Sequence, residues 1–286
     1  MGRLKIVYPV CCGMDVHRDF LIACIAATNA QGVTEYQSRR FSTYTGSLRE
    51  LRDWLLANDC KDICMESTGK YWFPVHNILE ESCHVVVSHP KFVKAIKGKK
   101  TDKKDAQWIA DLFKHDLVRG SFIPPKDIRQ LRDLCRYWVK LSSYMTGEKN
   151  RAQNCLTVSN FKLDDVFSNV FGKSASAITT QLLEHPGEQF DVAPFVDGRC
   201  KTPIAQIQEA VDGIFTYEQA EKLKIIRGHM DSLERHKAEL ESLILEIAQN
   251  YLPQIELLLT VPGIHDAFTA IRILAEIGAD MTVFDT

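Results

Sequence analysis

The sequence predicts an α/β sheet domain followed by a long-helix region, and three observations carry that prediction. Short β-rich runs alternate with helical signals over residues 1–90. Beyond Pro124-Pro125 the apolar residues switch to a seven-residue repeat. A last apolar segment then opens at Leu257 in a new pattern. The expected division is 1–125 for the sheet domain, 126–256 for a helical, coiled-coil region with an irregular insert, and 257–286 for the start of a further helical domain.

Lys5 to Val16 is apolar and closes on Gly13-Met14-Asp15, and Phe20 to Ala27 is a second apolar run a short turn away. Gly32 to Phe41 follows the turn Asn29-Ala30-Gln31-Gly32, so these three strands form an antiparallel meander. Thr45 to Leu56 is an amphipathic helix with Leu48, Leu51, Leu55 and Leu56 on one face. Asp62 to Glu66 and His84 to Ser88 are short β-branched strands, separated by a helix over Tyr71 to Glu81. Lys91 to Lys97 and Thr101 to Leu117 are helical. The order βββαβαβα and a helix places the later strands in right-handed crossovers.

In the helical region Ile128, Leu131, Cys135, Trp138, Met145 and Ala152 fall on a seven-residue repeat. Residues 157–202 are poorly periodic and carry Gly, Pro and Ser. Leu223, Ile226, Met230, Leu233, Lys237, Leu240, Ile244, Ile247 and Tyr251 then alternate spacings of three and four, broken only by the lysine. Such a seam runs about four heptads, or roughly 40 Å. It fits a coiled coil, either an intrachain hairpin with the earlier helix or a seam between two chains. Ala267 to Ile277 is a further apolar helix.

Bulk composition narrows the function classes. With 35 basic and 37 acidic residues the net charge is -2, which excludes binding to nucleic acid by overall basicity and leaves local patches. Nine scattered cysteines, no secretory signal pattern and no apolar run long enough for a bilayer indicate reduced thiols in a cytoplasm and no membrane partner. Cys60-x3-Cys64 lacks the second pair that a zinc site needs.

The densest chemistry lies in Lys97-Gly98-Lys99-Lys100-Thr101-Asp102-Lys103-Lys104-Asp105-Ala106. Lys91, Lys94, Lys97, Lys99, Lys100, Lys103 and Lys104 occupy fourteen residues and suit a polyanion's phosphates. Asp102 and Asp105, three apart at a helix start, share a face. Asp15 ends the first strand and Glu66 ends the fourth, so these four carboxylates are expected at one edge of the sheet. Taken singly, each is an ordinary turn or helix-cap residue. Gathered together they repel unless cations neutralise them, and a pair of magnesium ions, with manganese as the alternative, would do so. Tyr71, Trp72 and Phe73 offer rings for stacking on bases, although three adjacent helical aromatics point different ways and core packing claims at least one.

Gly13-Met14-Asp15-Val16-His17-Arg18-Asp19, Glu66-Ser67-Thr68-Gly69-Lys70-Tyr71, and His89-Pro90 through Lys100-Thr101-Asp102-Lys103-Lys104-Asp105-Ala106 resemble the DEDD transposases. These are insertion-sequence recombinases guided by a bridge RNA, with the Piv-type DNA invertases as relatives. The resemblance implies a ribonuclease-H-like fold of the RuvC branch, with Asp15, Glu66, Asp102 and Asp105 as the metal-binding catalytic tetrad. It also implies DNA and a structured guide RNA as partners, a homo-oligomer joined through the coiled coil, and a nucleoid-associated prokaryotic setting. Val261-Pro262-Gly263-Ile264-His265 resembles the start of the family's C-terminal domain and a helix-hairpin-helix turn, with His265 where a second glycine is usual. The family's nucleophilic serine lies further on, in a glycine-rich stretch this sequence does not contain; Ser67 matches the Glu-Ser-Thr-Gly motif instead. The expectation is a chain that binds metal and nucleic acid without completing recombination. Competing readings are a RuvC-like Holliday-junction nuclease that uses water, a regulator that only occupies nucleic acid, and a kinase suggested by Gly13-x-Asp15 but lacking the further phosphate loop.

Overall fold

A computed structural model describes residues 4–67, 69–93 and 102–284. The chain forms two compact units, Met1–Ile123 and Pro124–Thr286. In the first, strands β1 (Val10–Val16), β2 (Phe20–Thr28) and β3 (Thr34–Ser42) form the expected antiparallel meander. Helix α1 (Thr45–Ala57) leads to β4 (Asp62–Glu66), and α2 (Trp72–Leu79) to β5 (His84–Ser88). The sheet order is β3-β2-β1-β4-β5, with β4 parallel to both β1 and β5. Three antiparallel strands continued by two parallel ones in this order make the unit a ribonuclease-H-like α/β fold. Helices α3 (Pro90–Val93) and α4 (Asp102–Lys114) complete it.

Strand alternation gives each face its own core. Cys12, Met14 and Val16 of β1, with Ile63 and Met65 of β4, pack against Leu48, Leu51 and Leu55 of α1 and Val75 and Leu79 of α2. Cys11 and Cys64 point the other way, onto Ile109, Ala110 and Phe113 of α4. Burial pushes the Cys11 and Cys64 thiols up to about 12, so both pack as neutral small hydrophobes. Gly13 lies on this second face. A Cβ there would land on the Ala106 carbonyl oxygen and the Ala110 amide nitrogen, so the helix backbone rests directly on the strand.

The far end of α4 is tied to β3. The Lys114 ammonium, its side chain 8% exposed, donates to Asp111 Oδ1 at 2.8 Å and Thr34 Oγ1 at 3.3 Å. The Tyr36 hydroxyl donates to the same Asp111 carboxylate. Burial alone would lower the Lys114 pKa, but the bonds with Asp111 and Tyr36 outweigh it and hold the group above its ordinary value.

Some element ends differ from those expected. The first strand starts at Val10 because Pro9 has no N–H, and the Val7 and Tyr8 amides donate instead to the Lys114 carbonyl at 2.9 and 3.2 Å. Helix α4 stops at Lys114, where Asp116 turns to φ 57° and the Leu117 amide returns to Leu112 O at 3.0 Å. Asp59 after α1 and Asn160 after the first long helix close their helices the same way, with Cys60 bonded to Leu55 O and Phe161 to Leu156 O. All three are left-handed caps without glycine. The helix expected over residues 91–97 starts at Pro90, and residues 94–101 lie outside the described set.

The second unit is built on α5 (Lys126–Val158) and α9 (Tyr217–Ala248), which pack antiparallel. Trp138 Nε1 donates to Glu241 at 2.7 Å, and His229 Nδ1 sits 3.0 Å from Glu148. The intrachain hairpin is therefore formed. Lys237, the polar break in the seam, lies with its ammonium 4.6 Å from the Trp138 ring centre. The poorly periodic insert contains α6 (Leu163–Val166) and α7 (Lys173–Glu184), and α8 (Ile204–Ala210) follows it. Their apolar sides join Ala152, Cys155, Leu156, Leu223 and Ile226 in one core. At the opposite end α10 (Leu252–Leu259) and α11 (Ala267–Ile277) pack on Ile128, Leu131, Cys135, Ile244 and Ala248. Arg132 caps α11 through the Ala275 and Glu276 carbonyls at 2.8 and 3.0 Å. Arg136 holds the Glu276 carboxylate with two bonds of 2.8 and 2.7 Å, which keeps Glu276 below its ordinary pKa. In the turn before α11, Gly263 takes φ 99°, and the Asp266 carboxylate accepts from the Thr269 amide at 2.8 Å. An acidic side chain thus occupies the helix start where a phosphate-gripping hairpin would offer free amides.

Two substitutions test these constraints. Gly13→Ala should destabilise the first unit by about 3 kcal/mol, the upper range for overpacking, because the clash is with backbone on both sides; an unchanged urea midpoint would refute the contact. Asp59→Gly relieves a left-handed penalty of roughly 1–2 kcal/mol and adds roughly 0.5–1 kcal/mol of unfolded-chain freedom. A net gain of about 0.5 kcal/mol is expected, read as a higher urea midpoint.

Candidate metal centre

The pairing Met14↔Met65 puts Asp15 and Glu66 one residue beyond the last matched couple of the parallel β1–β4 pair. By alternation with Cys11, Gly13 and Cys64, both side chains belong to the face that α4 covers. On α4 the buried residues Ala106, Ile109, Ala110 and Phe113 form a stripe at spacings of three, one and three. Carried back one turn, that stripe reaches Asp102 and Asp105, in the helix's first turn. The contact at Gly13 therefore sets the helix start over the end of β1.

Asp15, His17 and Asp102 each offer a ligand atom within 4.8 Å of the other two. His17 Nε2 lies 3.2 Å from Asp15 Oδ2 and 3.8 Å from Asp102 Oδ1. The Asp15 side chain is 14% exposed and Asp102 51% exposed, so the cluster opens to solvent from the helix side. Burial raises the Asp15 pKa; His17 opposes the rise, and Asp102 and Asp105 add to it. Asp105 is thus within electrostatic reach of Asp15 but outside the three-residue group, and Glu66 lies outside that group too. The donor set, hard carboxylate oxygens beside one imidazole nitrogen in a field of like charges, fits a divalent cation.

The remaining expected site residues are placed as follows. Lys91, Lys103 and Lys104 are exposed, with the last two between the acidic positions on α4. Lys94, Lys97, Lys99 and Lys100 lie outside the described residues, as do Thr68 and Thr101. Trp72 is buried and stacks on Phe73 at 4.0 Å, so packing claims it, while Tyr71 and Phe73 remain 43% and 40% exposed. The Ser67 amide is bonded to Ser88 O at 2.8 Å. His17 was the residue missing from the expected set. Its signal was its position two residues after Asp15, which keeps it on the same face as the strand runs into its hairpin.

A mixed sheet of this order and direction, with Asp15 near the end of β1 and Glu66 ending β4, is a ribonuclease-H-like layout. A family described as transposase, the DEDD transposases of the IS110 type, matches residues 12–160, just over half of the chain, and the protein belongs to that family. No curated protein sequence matches the chain. Among solved structures it is similar to Thermus thermophilus RuvC at 13% identity and TM-score 0.32, covering 39% of this chain and 99% of that one. The T. thermophilus RuvC complex with a Holliday junction substrate matches at 12% identity and TM-score 0.30, over 39% and 99% of the two chains. A Fowlpox virus resolvase with substrate Holliday junction DNA matches at 13% and 0.25, over 36% and 72%. Strand order and direction define the fold independently of these partial matches. Among the described residues no helix is long and apolar enough to cross a membrane.

The raised Asp15 pKa has a consequence for stability. A carboxyl that holds its proton more tightly when folded favours folding at low pH, and this advantage is lost as pH rises through the folded value. At neutral pH and without divalent metal, Asp15→Asn should therefore melt above the wild type. Added Mn2+ should raise the melting temperature of the wild type and leave the variant unmoved. A variant that melts lower without metal would contradict the assignment of crowded, half-buried charge.

Proposed function

We propose that the protein is a DNA recombinase of a mobile insertion sequence that cleaves and exchanges DNA strands with divalent-metal help, guided by a structured RNA. The convergence of Asp15 and Asp102, from a strand end and a helix start far apart in the chain, carries this reading. Membership of the transposase family supports DNA as substrate. The resemblance to bridge-RNA-guided recombinases supports RNA guidance and a homo-oligomeric working form.

Asp15, Glu66, Asp102 and Asp105 are the residues that would hold the metal, Mg2+ or Mn2+, as a two-ion site. When bound, the metal supplies positive charge that stabilises charge building on a phosphodiester and its leaving oxygen. The chain's own residues do the rest. Asp15 and Asp102 fix that charge at one point of the sheet edge. Lys91, Lys103 and Lys104, with Lys94, Lys97, Lys99 and Lys100, draw the polyanion toward the carboxylates, which would otherwise repel it. Tyr71 and Phe73, which follow Glu66 in the chain, present exposed rings on which unpaired bases can stack. None of these residues is assigned the role of the family's nucleophilic serine.

Asp102→Asn tests the reading, because Asp102 is exposed and its loss disturbs no core. The variant should lose Mg2+ binding by calorimetry and metal-dependent DNA cleavage by about 100-fold or more, and keep its affinity for DNA at fixed salt. Cleavage and metal binding at wild-type levels would overturn it.

A further inference from the structure

The ligand set expected at this site is acidic, yet an imidazole, that of His17, lies within ion-pairing distance of both Asp15 and Asp102. We propose that His17 is itself a ligand of the cation held between these carboxylates, making the centre a mixed nitrogen–oxygen site. The inference rests on the metal-binding reading above and extends it to a residue and an ion preference. Two donors about 2.1 Å from a common ion lie about 3 Å apart at right angles and about 4.2 Å apart when opposite. The observed separations from His17 Nε2, 3.2 Å to Asp15 and 3.8 Å to Asp102, fall inside that window.

The imidazole is also held in place for the task. The His17 amide donates to Phe20 O at 2.9 Å, which closes the tight hairpin between β1 and β2 and fixes the backbone. Its ring rests against Phe20, centres 4.7 Å apart, and the Arg40 guanidinium covers Phe20 at 4.0 Å. Arg40 pairs with Ile22 and Ile22 with Asp15, so the brace spans the same row of three strands as the carboxylate. Packing of this kind aims a ligand before the ion arrives.

A nitrogen donor changes which ion is preferred. Mg2+ takes oxygen ligands and gives up its waters reluctantly, whereas Mn2+ and Co2+ accept imidazole. The centre should therefore bind Mn2+ and Co2+ more tightly relative to Mg2+ than four carboxylates alone would.

Pulsed EPR on the full chain loaded with Mn2+ alone separates a ligand from a neighbour that merely hydrogen-bonds Asp15. Wild-type protein should show a directly bound histidine nitrogen, shifting as expected when the protein is made with 15N-histidine. His17→Ala should abolish that signal and weaken Mn2+ about tenfold or more, with a smaller effect on Mg2+; His17→Gln, which keeps a polar side chain, should also lose it. A bound Mn2+ without nitrogen coupling in the wild type, or with coupling surviving in both folded variants, overturns the proposal. Asp15→Asn and Asp102→Asn distinguish the two levels. If they lose Mn2+ while His17→Ala keeps its nitrogen signal, the centre stands and the His17 assignment falls. If they bind Mn2+ as the wild type does, both fall.

Discussion

The close approach of α4 to β1 at Gly13 is the constraint on which the first unit depends. An ordinary residue would separate helix and strand by a side chain's width. Here Ala106 and Ala110 bring two backbones together, and the helix start is carried over the end of the strand. Asp15 and Asp102 then meet without any long side chain having to reach. At the other end, Lys114, Asp111 and Tyr36 tie the helix to β3, so it is fixed against rotation as well as separation.

A centre assembled in this way places negative charge where burial already disfavours it. Asp15 is held above its ordinary pKa by burial and by Asp102 and Asp105 together. Without a cation that arrangement weakens the fold, and the surrounding apolar packing of Cys11, Cys64, Ile109 and Phe113 has to offset it. In the proposed metal centre, a bound cation would remove this local instability, and the scaffold carries it until then.

Much of the fold was legible because its signals are local. β-branched runs and turn residues marked the five strands, and strand ends marked Asp15 and Glu66. The helical reading of Thr101 to Leu117 set Asp102 and Asp105 on one face of a helix start, and the buried stripe of Ala106, Ile109, Ala110 and Phe113 runs along the helix found there. His17 was not legible as part of the cluster, because its role depends on a hairpin tight enough to keep strand alternation running past Val16. The helices of the insert were hidden for another reason. A four-residue helix has no period to read, and α7 spends three of its positions on Ser and Thr that bond back to its own carbonyls or to a neighbour. The early start assigned to the first strand overlooked what Pro9 forbids.

The lysine inside the α9 seam fixes the alignment of the hairpin. An antiparallel pair with a uniform apolar seam could slide by one heptad at little cost, since one leucine replaces another. Here Trp138 is covered by Lys237 and donates its indole N–H to Glu241, both on α9. A slipped pair would set the ammonium among aliphatic side chains and leave the indole without its acceptor. The hairpin therefore carries its own alignment marks, this one and the His229–Glu148 pair, and an insertion or deletion of seven residues in either helix should be felt as a mismatch rather than absorbed.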